Sequence, residues 1–325
     1  MTNFFAFSTY INNNGDIMKK LFVILIFPIL LILVSYTLVN SFVREEIIRF
    51  KYNQHDEKIK VKRESTGEIK EIYFEDYIVG VLAGEMPANF EMEALKAQAV
   101  AARSYALKKM LKNENQEYDV IDTVANQVYQ DEEELKKRWG SDYVKNLNKI
   151  KSAVLETQGE YIAYNGEVIE AFFFSTSTGK TENSEEVFTS SRPYLKSVDS
   201  SWDAKVSPVF QVENDISLND FYTKLGLPYQ EQLQVEVVKQ TSTGRMKQVK
   251  INGVEMSAND VYQKLGLKST YFHIEQVGTN VHIETKGYGH GVGMSQYGAE
   301  GMAKEGFSYD EIIKHYYQGV EIKKL

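Results

Sequence analysis

The chain has 325 residues, enough for one large domain or two ordinary ones. At 43% hydrophobic and 25% charged it has the composition of a globular protein with a sizeable core, and a net charge of -8 argues against a nucleic-acid surface. The absence of cysteine excludes disulfides, thiolate metal sites and a cysteine nucleophile, and it suits an oxidising exterior.

Residues 1–17 read as an N-terminal extension, and Met18-Lys19-Lys20 as a natural start. Leu21–Val39 carries no charge, and about 20 apolar residues span a bilayer core as helix, so 18–40 is expected to be a transmembrane anchor. Lys19 and Lys20 precede the run, and Arg44, Glu45 and Glu46 follow it. The positive-inside rule then predicts a single pass, with the N-terminus cytoplasmic and the rest of the chain outside. The other reading, a cleaved signal peptide, lacks a small-x-small site after the run.

Ser41 to about Lys70 is charged and strand-like, leading into the domain. Tyr77, Ile78, Val81 and Leu82 fall at helical spacing and predict a helix over 75–86. Asn89 is the expected cap of a second helix over 90–112, and 113–150 reads as charged and partly helical. From Gly159 to Phe174 the pattern turns to β, with Asn165-Gly166 predicting a hairpin turn. Residues 208–285 read as an inserted smaller subdomain holding a repeat: Ser217-Leu-Asn-Asp-Phe-Tyr-Thr-Lys-Leu-Gly-Leu227 matches Ser257-Ala-Asn-Asp-Val-Tyr-Gln-Lys-Leu-Gly-Leu267. Each copy predicts a short helix with Ser at its N-cap and Gly226 or Gly266 at its C-cap. A glycine-rich loop, Gly287–Gly293, then leads to a helix over 295–304, and Tyr309–Gly319 is amphipathic. Segments 45–207 and 286–325 together make the expected main domain, and the fold class is α+β.

Glu85 stands out as a candidate acid. Helical spacing from Ile78, Val81 and Leu82 puts its carboxyl on the apolar face, at a helix end that Pro87 must stop. Desolvation and the negative helix terminus both disfavour its ionised form, and a carboxyl kept partly protonated is what a general acid needs. The plain alternative is a boundary glutamate turned into water. The alanine-rich second helix carries Lys96 and Arg103 two turns apart on one face, and such cations call for a carboxylate or an anionic ligand. The Ser175-Thr176-Ser177-Thr178 run at a strand end suits hydrogen bonds to sugar hydroxyls, or is a polar turn. Gly287-Tyr-Gly-His-Gly-Val-Gly293 has neither nucleotide-loop signature, but its glycines allow close backbone approach to a ligand, with Tyr288 and His290 projecting. The five histidines are scattered, so no metal site is expected.

Taken together, these segments resemble the stage II sporulation protein D family, which also includes amidase enhancers. The resemblance rests on Gly84-Glu85-Met86-Pro87, on the Ala94–Ala106 helix, on Phe173-Phe-Ser-Thr-Ser-Thr-Gly-Lys-Thr-Glu-Asn-Ser-Glu185 and on Gly287-Tyr-Gly-His-Gly-Val-Gly-Met-Ser-Gln-Tyr-Gly-Ala299, in order over roughly residues 60–320. It implies a lytic transglycosylase that cleaves peptide-free glycan strands between N-acetylmuramic acid and N-acetylglucosamine, leaving 1,6-anhydro ends, in septal wall remodelling during engulfment. It places the catalytic glutamate on Glu85, and groove residues on Lys96, Arg103, Ser175, Ser177, Thr178, Tyr288, His290 and Gln296. It also implies a sporulation amidase and a membrane scaffold as partners, and no cofactor. Some relatives bind zinc through a cysteine that this chain lacks, so that metal is not carried over.

One carboxyl suffices for such a reaction, because the sugar's own C6 hydroxyl is the nucleophile. A muramidase would need a second carboxylate, for which Glu170 and Glu182 are the candidates. A non-catalytic, glycan-binding activator of an amidase is the alternative from another class.

Overall fold

The computed structural model describes residues 32–36, 57–188 and 190–325, and Glu57–Leu325 forms one compact unit. The expected anchor is corrected. Of Leu21–Val39 only Ile32–Tyr36 is described, as a helical stretch; the rest of the run, the 1–17 extension and the flanking charges lie outside the described residues. Among the described residues no helix is long and apolar enough to cross a membrane. The N-terminal transmembrane helix, and the single-pass localisation drawn from it, are therefore not supported.

The fold is a mixture of helices and small sheets, α+β as expected. β1 (Lys58–Lys62) and β2 (Ile69–Tyr73) form an antiparallel hairpin that runs into α1 (Phe74–Glu85). After α2 (Met92–Lys112), β3 (Val120–Ile121) pairs parallel to β1. α3 (Glu132–Trp139), a 3-10 turn over Gly140–Asp142 and α4 (Tyr143–Glu156) lead to the hairpin β4 (Glu160–Tyr164) and β5 (Glu167–Val168). Asn165 and Gly166 both take positive φ there, the geometry an Asn-Gly hairpin turn requires. β6 (Phe173–Phe174) and the short helices α5 (Ser184–Val187) and α6 (Asp203–Val206) follow.

Next come β7 (Gln211–Ser217), α7 (Leu218–Leu225), β8 (Val235–Gln240), β9 (Met246–Ile251), β10 (Val254–Ser257), α8 (Ala258–Leu265), β11 (Phe272–Val277) and β12 (Asn280–Lys286). Their strands form two antiparallel sheets, β10-β9-β8 and β11-β12-β7. Both repeat helices have the expected caps: Ser217 and Ser257 accept the backbone N–H of Asp220 and Asp260, and Gly226 and Gly266 close them left-handed. α7 and α8 pack together, and Phe221, Tyr222 and Val261 share a core with Ile251, Val281 and Ile283. The chain then returns through β13 (Met294–Ser295), parallel to β6, to α9 (Gln296–Lys304), α10 (Tyr309–Tyr316) and β14 (Glu321–Lys324), which pairs with β4.

α2 is the hub. The sequence suggests only a thin alanine stripe, yet every residue from Ala97 to Leu107 is buried. α1, α4, β4, α9 and α10 pack around it, and small side chains let them all approach the same backbone. The helix starts at Met92 after an N-cap at Glu91, two residues beyond the expected start, because Phe90 is held in a turn on the Pro87 carbonyl.

Gly293 fixes how β13 meets the rest. Its φ is +83°, and a Cβ there would collide with the Phe172 carbonyl oxygen. Gly293→Ala is expected to lower the urea midpoint by more than about 1 kcal/mol of stability, because both strain and a backbone clash act. Gly278→Ala, at φ +62° with open space around the Cβ, carries only the strain and should cost less.

Candidate active site

Glu85 is the last residue of α1, whose Ile78, Val81 and Leu82 are buried as the spacing requires. Met86 leaves the helix in an extended conformation ahead of Pro87. A loop over residues 123–131 lies against this helix end. A Cβ on Gly84 would stand 2.5 Å from the Val128 carbonyl oxygen, so Gly84 lets the loop approach the helix closely. The loop is pinned by Gln127, which is buried, accepts from the Tyr77 hydroxyl at 3.1 Å and donates to the Ala102 carbonyl at 3.2 Å. Tyr129 stacks on Tyr77 with ring centroids 5.5 Å apart. As a result the Val128 N–H points at Glu85 and donates to Oε1 at 2.7 Å.

From the other side Gln296 Nε2 stands 3.5 Å from Glu85 Oε2. Gln296 is the first residue of α9, and the helix is fixed by its cap. Ser295 Oγ accepts from Gly298 N–H and donates to buried Asp203 Oδ1 at 2.5 Å. Asp203 also accepts from Ser177 N–H and from Ser200 Oγ. Burial pushes the Glu85 carboxyl above the ordinary glutamate range, outweighing the hydrogen bonds from Val128 and Gln296 that favour its ionised form.

Glu85 lines two clefts. One, of about 500 Å³, is walled by Val124, Asn126, Phe173, Ser175, Tyr288 and His290. The other, of about 610 Å³, lies toward Pro87 and includes Arg138 and Trp139. Beyond the first, a further cleft of about 500 Å³ shares Phe188, Gly289 and His290 with it. His290 is enclosed by Phe172, Phe174 and Phe188, with ring centroids 5.6–5.9 Å away. Burial, helped by the charge of Arg245, pushes its pKa down to about 4. Its Nδ1 accepts from Val292 N–H at 3.1 Å, so His290 is a neutral wall of the groove at neutral pH. Arg245 Nη1 donates to the Gly289 carbonyl at 2.7 Å and holds the glycine-rich loop from behind.

Glu85, Ser175, Tyr288, His290 and Gln296 are thus gathered around one cleft. The structure places the remaining expected groove residues away from this cleft. Arg103 is fully buried and clasps Glu75 with Nε and Nη2 at 2.9 and 2.7 Å, while Nη1 donates to the Glu160 carbonyl. Lys96 pairs with Glu93 at 2.8 Å and Glu156 at 2.7 Å and lines none of the three clefts. Ser177 is fully buried and donates to the Ser200 carbonyl; Thr178 packs beside Gly287, outside the clefts. These two continue the hydroxyl run away from Glu85 because β6 ends at Phe174 and the turn folds back on Asp203.

The candidate second carboxylates are also placed elsewhere. Glu170 is tied to Arg192 at 2.5 Å and Lys109 at 3.2 Å, and Glu182 is fully buried beside Arg245. Among the described residues that line the two clefts sharing Glu85, the only other acid is Asp142. Val128 and Asn126 carry no sequence signal for this site, since their place depends on the 123–131 loop folding onto α1, and Arg138 reaches it from α3 through the Ala83 carbonyl and Gln130.

Residues 62–164 match the family model described as stage II sporulation protein. The chain is 45% identical over 271 residues to stage II sporulation protein D of Bacillus amyloliquefaciens, covering 82% of this chain and 78% of that one. It is 44% identical over 271 residues to stage II sporulation protein D of Bacillus subtilis (strain 168), covering 82% and 79%. An amidase enhancer of Bacillus subtilis (strain 168) is 33% identical over 297 residues, which take in 75% of this chain and 40% of that relative. Similarity of this extent, running through the helix that ends at Glu85, shows that the chain belongs to the stage II sporulation protein D family.

Proposed function

We propose that the protein is a peptidoglycan lytic transglycosylase that cuts peptide-free glycan strands after N-acetylmuramic acid, with Glu85 as both acid and base. The observation that carries this reading is a half-buried carboxyl, raised above its ordinary range, at the meeting of two clefts. Protonated Glu85 gives its proton to the glycosidic oxygen as the bond to the leaving sugar breaks. The resulting carboxylate accepts the proton of the C6 hydroxyl, whose oxygen closes on the anomeric carbon of the same sugar. The N–H groups of Val128 and Gln296 steady the charge formed between the two steps. No water enters the products. A hydrolase would need a second carboxylate to activate water; neither Glu170 nor Glu182 lines either cleft, and Asp142, which lines the Pro87-side cleft, is the acid that hydrated products would point to.

The test is to incubate the protein with peptide-free glycan strands and weigh the products. Muramyl ends lighter by one water than the hydrolytic product are expected; hydrated ends would replace this reading with a muramidase. The similarity to an amidase enhancer favours a second reading, a glycan-binding activator of a wall amidase. Glu85→Gln separates the two, since an activator would stimulate its amidase undiminished, and no product would form from strands alone even with the wild type.

A further inference from the structure

The cleft on the Pro87 side of Glu85 has a chemistry that strand cutting, as described, does not use. Its far wall is built by the end of α3 and the start of α4: Arg138, Trp139, Lys145 and Asn146 face Pro87 and Asn89. Arg138 is held by neutral groups. Nη2 donates to the Ala83 carbonyl at 2.6 Å, Nη1 donates to Gln130 Oε1 at 2.5 Å, and the guanidinium stands 5.1 Å from the Trp139 ring centroid. Among the described residues it makes no ion pair, unlike Arg63, Lys96 and Arg103, each of which has a carboxylate partner. Burial accordingly lowers its pKa, with no carboxylate offsetting the effect. Lys145 is exposed and likewise has no ion pair among the described residues. Apart from Glu85, Asp142 is the one acid among the described residues of this cleft.

A cation held on a cleft wall by neutral groups and an indole face, with no counter-ion among the described residues, is a place for an anion attached to something with an apolar surface. The amides of Asn89 and Asn146 add donors and acceptors suited to hydroxyl and acetamido groups. In the strand proposed above, only the muramyl unit carries an acid, and its lactyl carboxylate is free only when no peptide is attached. We propose that Arg138 and Lys145, with Trp139 as stacking platform, form a subsite that reads the free lactyl carboxylate of a muramyl unit next to the scissile region. The subsite rests on the glycan-cutting reading for its ligand and adds the residues that select peptide-free strands. An amide in place of the carboxylate removes the charge and adds bulk where Arg138 and Trp139 stand.

The test uses the full chain with Glu85→Gln, so that strands bind without turnover. Its affinity is measured for peptide-free glycan strands and for the same strands with their carboxyls converted to methylamides. The expected result is about tenfold weaker binding of the methylamide strands, the scale of one charge-assisted contact. Adding Arg138→Met should erase that preference, Arg138→Lys should keep part of it, and Lys145→Met should reduce it. Lys145 is exposed, so its substitution leaves folding intact; circular dichroism checks Arg138→Met. Equal affinity for the two strand types, or equal losses for both on Arg138→Met with no effect of Lys145→Met, overturns the subsite. Turnover by the wild type is followed in parallel. A wild type that prefers the free acid but releases no product leaves the subsite standing and removes the transglycosylase reading. A wild type that cuts both strand types equally well does the reverse.

Discussion

Glu85→Gln is expected to stop strand cutting and, at neutral pH, to make the protein more stable. Loss of a positioned general acid costs about 100-fold to 10,000-fold in rate, and here the same group also serves as base, which puts the effect at the upper end. Gln keeps the side-chain oxygen that accepts from Val128 N–H, so the geometry persists while the titrating proton is lost. The stability effect follows from linkage. Burial raises the Glu85 pKa in the folded state, so the native protein binds that proton more tightly than the unfolded chain does. Wild-type stability then falls as pH rises from the ordinary glutamate value through the raised one, and above that the penalty is constant. The variant carries no such penalty. Its gain in thermal midpoint should be full at neutral pH and vanish in acid below the ordinary glutamate range. Wild-type activity has the matching profile, declining as pH rises through the raised pKa, because the acid must start protonated. A variant that still releases anhydro products, or whose midpoint gain is the same at acid and neutral pH, would show that this carboxyl is neither the acid nor desolvated.

Much of this site is legible in the sequence, for a reason that also explains what is not. Glu85 is legible because its register against Ile78, Val81 and Leu82 and the stop at Pro87 are local facts, and local facts survive folding. The caps at Ser217 and Ser257 and the Asn165-Gly166 turn are legible on the same ground. Tyr288 and His290 are legible because alternating glycines have few uses, although the neutrality of His290 depends on three phenylalanines and Arg245 drawn from distant segments. Spacing shows that two cations share a face of α2, but it does not show what packs on that face. α1 and α4 cover it, so Lys96 and Arg103 meet Glu156 and Glu75 instead of a ligand. The 123–131 loop has no periodicity and no motif, yet it supplies the Val128 contact that orients the carboxyl. Its position follows from tertiary pairing of Gln127 and Tyr129 with α1 and α2, which no window of sequence contains.

The placement of Arg103 leads to the largest expected stability effect. Arg103→Met is expected to cost about 3–5 kcal/mol, read as a lower denaturant midpoint, because it leaves Glu75 buried without its cation. Glu75 is 4% exposed and its Oε1 also accepts from Gly159 N–H at 3.2 Å, so it has no route to water that keeps the β4 end in place. The carbonyls of Glu160 and Val154 lose a donor in the same substitution. Removing both charges with Arg103→Met and Glu75→Leu should cost less than the single change, since an apolar pair has no charge to desolvate. It should not return to the wild-type level, because Gly159 N–H loses its carboxylate acceptor and the two carbonyls lose the guanidinium. Among the molecules still folded, affinity for glycan strands should be unchanged, since the guanidinium lies inside the helix packing and not along a cleft. A stable Arg103→Met protein that has lost strand binding would return this residue to the groove and overturn the reading of α2 as scaffold rather than binding surface.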